Sequence, residues 1–139
     1  MADTFQLEVA TPERLLVDEQ VTEAELPSQN GYMGILAGHA PLLSALGAGV
    51  LTYKSAGGER VLAIEGGFVE VFDNHVRVLA EHAGFPEDID IDKARQDLNS
   101  ANEALRHADT EAAATQALFA AQSAQARVDA AERAGIRTQ

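Results

Sequence analysis

The residues best able to do chemistry in this chain are His39, the many carboxylates of its first half, and the run Ile89-Asp90-Ile91-Asp92-Lys93-Ala94. A lone histidine can be a general base, a metal ligand or a structural donor and acceptor. Metal sites need three or four ligands, and the chain has no cysteine and no second histidine close to His39. His39 is therefore read as a loop or interface residue, and His75, His82 and His107 as solvated or capping groups. Paired carboxylates across a cleft could hydrolyse glycosides, but Glu8, Glu23, Glu25 and Glu70 stand in the outward phase of their segments, where charge solvates a sheet face. Ser44 lies in no nucleophile-elbow pattern. Neither a catalytic residue nor a metal site is expected.

Two kinds of element must carry these residues. From Phe5 to about Glu81 the apolar pattern has period two, as in Phe5, Leu7 and Val9 and again in Ala24 and Leu26, with Pro27 expected to stop the second strand. Leu51 and Tyr53 return through Gly57-Gly58 to Leu62 and Ile64, and Val69 and Val71 return through Asp73-Asn74 to Val76 and Val78, which predicts two hairpins. So many short strands with no long helix between them favour an antiparallel sandwich or barrel. After Pro86 the period lengthens: Ile91, Ala94, Leu98, Ala101 and Leu105 predict a helix from about Asp90 to His107. A break around Ala108-Asp109-Thr110 offers the cap of a second helix, whose stripe of Ala114, Ala117, Ala121, Ala124, Val128 and Ala131 is expected to end at Gly135. The fold class is α+β: an N-terminal antiparallel β-sandwich over residues 1–86, then an antiparallel two-helix hairpin over 87–139.

Charge narrows the partners. With 10 basic and 22 acidic residues among 139, the formal net charge is −12, which repels a phosphate backbone and argues against nucleic acid. Residues 1–88 hold 14 acids and 4 bases, and residues 89–139 hold 8 and 6, so the acidity lies mainly in the sandwich. No stretch approaches the roughly 18 apolar residues of a membrane span, and Met1-Ala2-Asp3-Thr4 has neither a cationic nor an Arg-rich leader character. The expectation is a chain held at a membrane, if at all, by another subunit.

The segment Gly34-Ile35-Leu36-Ala37-Gly38-His39-Ala40-Pro41-Leu42-Leu43 resembles the G-I-x-x-G-H-A-P-L segment of F-type ATP synthase epsilon subunits. The resemblance extends in order through Thr11-Pro12-Glu13, Leu26-Pro27, Leu46 with Gly49, Gly66 to Val71, Asn74, and Val76 to Ala80. It implies a non-catalytic rotor subunit of the central stalk, whose sandwich packs on the gamma subunit and stands on the c-ring at the inner face of a bacterial membrane. Ser28, Gly31, Tyr32, Gly34, His39 and Pro41 match the interface region. Tyr32 replaces a carboxylate of a relative, which removes an ionic contact there. The physical character agrees, since Gly31, Gly34 and Gly38 permit a tight loop and Pro41 fixes its exit, with no helix following to cradle phosphate. The alternative is a free-standing sandwich adaptor.

The helical arm adds two expectations. Some relatives bind ATP through I-D-x-x-R-A, which corresponds to Ile89, Asp90, Lys93 and Ala94 with lysine in place of arginine, or, in a register shifted to Ile91-Asp92-Lys93-Ala94-Arg95-Gln96, keeps the arginine and loses the alanine. Lysine lacks the planar fork that suits phosphate oxygens, so ATP binding is expected to be weak, and no other cofactor is implied. The arm can also extend along gamma toward the alpha and beta subunits and inhibit hydrolysis. Its basic residues Arg127, Arg133 and Arg137 are offset by Glu111, Asp129 and Glu132, so inhibition is expected to be modest.

Overall fold

The structure, a computed structural model, describes residues 3–137. Seven strands come first: β1 (Phe5–Ala10), β2 (Leu15–Val21), β3 (Glu23–Ser28), β4 (Gly31–Leu36), β5 (Leu42–Ser55), β6 (Gly58–Phe72) and β7 (His75–Gly84). A single 3-10 turn at Pro86–Asp88 leads into α1 (Ile91–Arg106) and α2 (Glu111–Arg137). The strands are hydrogen-bonded in the order β2-β1-β7-β6-β5-β3-β4.

Turn chemistry explains the local joins. Asp73 and Asn74 take φ of 51° and 58°, the left-handed pair that a two-residue hairpin between right-twisted strands requires. Asp90 caps α1, its carboxylate accepting the Lys93 N–H at 3.1 Å, and Thr110 caps α2 by accepting the Ala113 N–H at 3.0 Å.

Four details depart from the expectation. One pairing is parallel: β1 lies beside β7 with Gln6 opposite His75, because the chain's first strand closes the sheet against its last. The strand β2 escaped the period-two reading because Glu19 stands between the buried Val17 and Val21, and its carboxylate accepts a hydrogen bond from the Tyr53 hydroxyl at 3.3 Å. Pro27 does not stop β3, which runs on to Ser28. It pairs with Tyr32 of β4 and lies where β3 shifts register against β5, so the missing N–H falls in a broken stretch of ladder. Helix α2 passes through Gly135, since a glycine weakens a helix by about 1 kcal/mol without ending it.

The sandwich arises from a bend shared by the long strands. In β6, Leu62 and Ile64 face the core before Gly66-Gly67, and Val69 and Val71 face it afterwards, so the inward phase slips by one residue. The same slip occurs in β5 between Leu46 and Leu51, and in β7 between Ala80 and the partly buried Ala83. These slips share one row, because Leu46 pairs with Gly67 and Gly67 with Ala80. Gly66 and Gly67 hold φ of 77° and 119°, a backbone that side-chain-bearing residues rarely adopt. Folded over at this row, the sheet buries one apolar cluster that draws Phe5, Leu7 and Val9 of β1 together with Leu26 of β3 and Tyr53 of β5.

Each half of the bent sheet also has an outer face. On one, Val50, Val61 and Ala63 form a second buried cluster with Ala126 and Ala130 of α2. These alanines were not part of the expected stripe. Ala117, Ala121, Ala124 and Val128 of that stripe are buried as well, so α2 is apolar on two sides, and its alanine content hides the second period.

A Cβ at Gly67 would lie 2.1 Å from the Leu79 carbonyl oxygen and 2.8 Å from Ala80 Cα, both backbone atoms that cannot swing aside. Gly67→Ala is expected to cost about 3 kcal/mol or more, whereas Gly34→Ala, where a Cβ meets nothing within 4 Å, should change stability by no more than about 1 kcal/mol. Urea unfolding followed by circular dichroism measures both.

Candidate docking faces and the pocket beneath the helical arm

The expected rim residues fall on one hairpin and the loop that follows it. Ser28 closes the β3–β4 turn, its hydroxyl donating to the Gly31 carbonyl at 2.5 Å and accepting the Asn30 N–H at 3.3 Å. Gly31 takes φ of 119° at the start of β4. His39 Nδ1 donates to the Ala40 carbonyl at 2.8 Å, and the Gly38 N–H donates to Asn74 Oδ1 at 2.7 Å, tying the 37–41 loop to the β6–β7 turn. Gly34 and Pro41 are exposed.

Tyr32 is more constrained than a rim contact would suggest. Its side chain is largely exposed, yet its hydroxyl accepts the N–H of the buried Val50 at 3.0 Å. The phenol fills the gap left where β3 slips against β5, and its oxygen lies 2.6 Å from where a Cβ on Gly49 would be. Gly49 is thus the seat of Tyr32, and the tyrosine is part of the sandwich wall.

Ile89, Asp90, Lys93 and Ala94 are brought together in a pocket of about 510 Å³ between the sandwich and the arm, which Arg14, Glu65, His82, Asp97 and Arg127 also line. Its cations are already engaged. Lys93 Nζ lies 3.3 Å from Asp97, Arg14 lies 3.6 Å from Asp88, and Arg127 reaches both Glu65 at 2.7 Å and Asp97 at 3.1 Å. Asp90 is occupied as the α1 cap and Ala94 is buried. Four carboxylates, Glu65, Asp88, Asp90 and Asp97, line the pocket with the three cations Arg14, Lys93 and Arg127. The Arg127 cluster had no local signature, since its partners lie 62 and 30 residues away. Among the described residues no three His, Asp or Glu side chains gather as a metal site.

The outer face of the other half of the sheet carries the feature that sequence reasoning missed. Across five neighbouring strands the register aligns Ala45, Phe68, Leu79, Ala10 and Leu15 in one row. Phe68 is 58% exposed, Leu79 52% and Leu15 55%. Leu43 and Phe72 stand on the same face and are more open still. Beside the row, Arg77 bonds Glu8 at 3.1 Å, and together with His75 it holds that carboxyl below its ordinary range. Phe68 and Leu79 sit in the outward phase normally given to polar residues, and that was the available signal. Exposed apolar rows of this kind are the feature that marks interaction sites on protein surfaces.

A bent sandwich with one outer face covered by its own helical hairpin and the other left open is a protein-docking module. The family profile described as ATP synthase, Delta/Epsilon chain, beta-sandwich domain matches residues 4–86. The ATP synthase epsilon chain of Solibacter usitatus (strain Ellin6076) is 50% identical over 134 residues, covering 96% of this chain and 99% of that one. The chain belongs to the ATP synthase delta/epsilon family. The epsilon chain of Syntrophomonas wolfei is 42% identical, over 94% of this chain and 96% of its own length. Among solved structures, the Euglena gracilis mitochondrial ATP synthase (OSCP/F1/c-ring, rotational state 1) contains a chain that superposes with a TM-score of 0.77 at 26% identity, covering 96% of this chain and 81% of that one. A chain of the Tetrahymena thermophila mitochondrial ATP synthase central stalk and c-ring shares the fold, with a TM-score of 0.58 at 19% identity, covering 93% and 94%.

Tyr32→Phe removes only the oxygen that satisfies the buried Val50 N–H. It is expected to cost about 1–3 kcal/mol, read as a lower urea midpoint with an unchanged slope.

Proposed function

We propose that this chain is the epsilon subunit of the central stalk of a proton-translocating F-type ATP synthase, a non-catalytic part of the rotor that couples the c-ring to gamma. The observation that carries the assignment of its faces is the open row Ala45-Phe68-Leu79-Ala10-Leu15, set against the covered face beneath α2. The open row is the gamma contact. The β3–β4 hairpin and the 37–41 loop, with Ser28, Gly31, Tyr32, Gly34, His39 and Pro41, form the end that meets gamma and the c-ring. Residues 1–86 act as the docking domain and 87–139 as the regulatory arm. No described helix is long and apolar enough to cross a membrane, and the bacterial relatives support a place at the cytoplasmic face of the inner membrane, held there by the complex.

The arm works as a modest brake that can extend toward the alpha and beta subunits. Its docking on the sandwich uses alanine methyls, which bury little apolar area each, so the arm can leave without unfolding the sheet. ATP binding at Ile89, Asp90, Lys93 and Ala94 is weak because the neighbouring cations already answer to Asp97, Glu65 and Asp88.

Changing Phe68 and Leu79 together to serine is expected to lower affinity for purified gamma about tenfold or more with the fold intact by circular dichroism. Undiminished co-purification with gamma would defeat the assignment. Calorimetry with ATP on the isolated chain should show no saturation in the micromolar range, and clear saturation there would reverse the reading of the pocket.

A further inference from the structure

Helix α2 does not stop where the sheet bends. Ala126 and Ala130 sit on Val50, Val61 and Ala63, Arg127 holds Glu65, and Phe119 reaches Gly66, whose Cβ position would lie 3.5 Å from Phe119 Cζ. The helix therefore runs along β6 in the opposite direction. The seven residues from Ala126 back to Phe119 rise about 10 Å, and the three to five residues from Val61 and Ala63 to Gly66 span roughly 10–16 Å, so the two elements keep pace up to the bend. Beyond it the inward phase of β6 slips by one residue, while α2 is unbroken back to Glu111. Thr115, Gln116, Leu118 and Phe119 are exposed, with Leu118 and Phe119 47% and 42% open.

On the sheet, the next outward residues past Gly66 are Phe68 and, across from it, Leu79. Phe119 is thus the continuation of the open row, displaced onto the arm. The rim between them is acidic at Glu81, which lies beside the same Gly66 position with its carboxyl carbon 3.4 Å from the Cβ site; farther along, Glu70 is 3.9 Å from Arg77, and Asp73 is exposed in the turn that joins the two strands. Glu81 has no ion-pair partner among the described residues.

We infer that Phe119 and Leu118 of the arm and the Phe68–Leu79 row form one composite docking face, and that a protein surface with an apolar centre and a basic rim, seated there, clamps the helical arm against the sandwich. This rests on the open row being the stalk contact proposed above. Such a partner binds more tightly when the arm is docked, because release of α2 carries Phe119 away from the face. By linkage, the bound partner holds the arm down by the same factor.

The arm's position can be read from Arg127. Its side chain is about three-quarters buried and pinned between Glu65 and Asp97, so trypsin cuts after it only when the arm lifts. In the full-length chain, purified gamma is expected to slow cleavage after Arg127 by about tenfold. Phe119→Ala, and separately Leu118→Ser, should retain gamma binding at several-fold lower affinity and lose most of that protection at saturating gamma, the protection being taken for each variant as the ratio of its own cleavage rates without and with gamma, because Phe119 also packs on Gly66 in the free chain. Equal protection in parent and variants, or no protection in the parent, overturns the composite face. The Phe68→Ser/Leu79→Ser chain separates the two levels. If it binds gamma normally, the docking reading itself fails and the clamp with it; if it loses gamma while the arm variants are fully protected, only the clamp fails.

Discussion

A backbone carbonyl in the place of a side chain organises this molecule. At Gly67 the Leu79 oxygen comes within 2.1 Å of the Cβ position, so β6 and β7 can close on each other at this row only if the residue has no side chain. With Gly66 it takes a positive φ, and the inward phase of three neighbouring strands slips there together. A flat seven-stranded sheet would leave one apolar face in water. Bent at this row, it encloses that face as a core and acquires two separate outer faces, and all else the chain does concerns how those two are covered.

One outer face is covered from within and the other is not. The covering by α2 is shallow, built on alanine against valine, and reinforced by Arg127, which joins the sheet at Glu65 to α1 at Asp97. An interface of small methyls and a partly solvated ion-pair cluster has little apolar area to lose, which suits an element that docks and releases. The face carrying Phe68 and Leu79 is the opposite case: three large side chains, Phe68, Leu79 and Leu15, stand exposed in a row that crosses five strands. Large exposed apolar groups of that kind stabilise a complex more than they stabilise the monomer. On the reading proposed above, the two faces divide the work between reversible docking of the arm and durable attachment to a partner.

The pocket under the arm illustrates how context changes a motif. Lys93 and Asp90 have the spacing of a nucleotide signature, yet Asp90 caps α1 and Lys93 faces Asp97. Arg127, which would have made the pocket attractive to phosphate, is held by two carboxylates that lie far from it in the chain. Tyr32, expected at the interface, is exposed and in addition bridges a broken ladder through its hydroxyl.

Much was legible along the chain because it depends on near neighbours. Alternation gave most of the strands, Asp73-Asn74 the tight turn, the cluster of Asp88, Asp90 and Asp92 and the break at Ala108-Asp109-Thr110 the approximate helix starts, and the ten residues from Gly34 to Leu43 the kinship with epsilon subunits. These follow from φ preferences and local hydrogen bonds that any few consecutive residues carry with them. The parallel pairing of β1 with β7, the inward Glu19, the second apolar side of α2, the Arg127 cluster and the row from Ala45 to Leu15 were settled only by the tertiary structure. Each joins residues from distant parts of the chain. Whether an outward phenylalanine is covered or left open depends on where a bend places it, and that bend is decided by two strands meeting, not by either one alone.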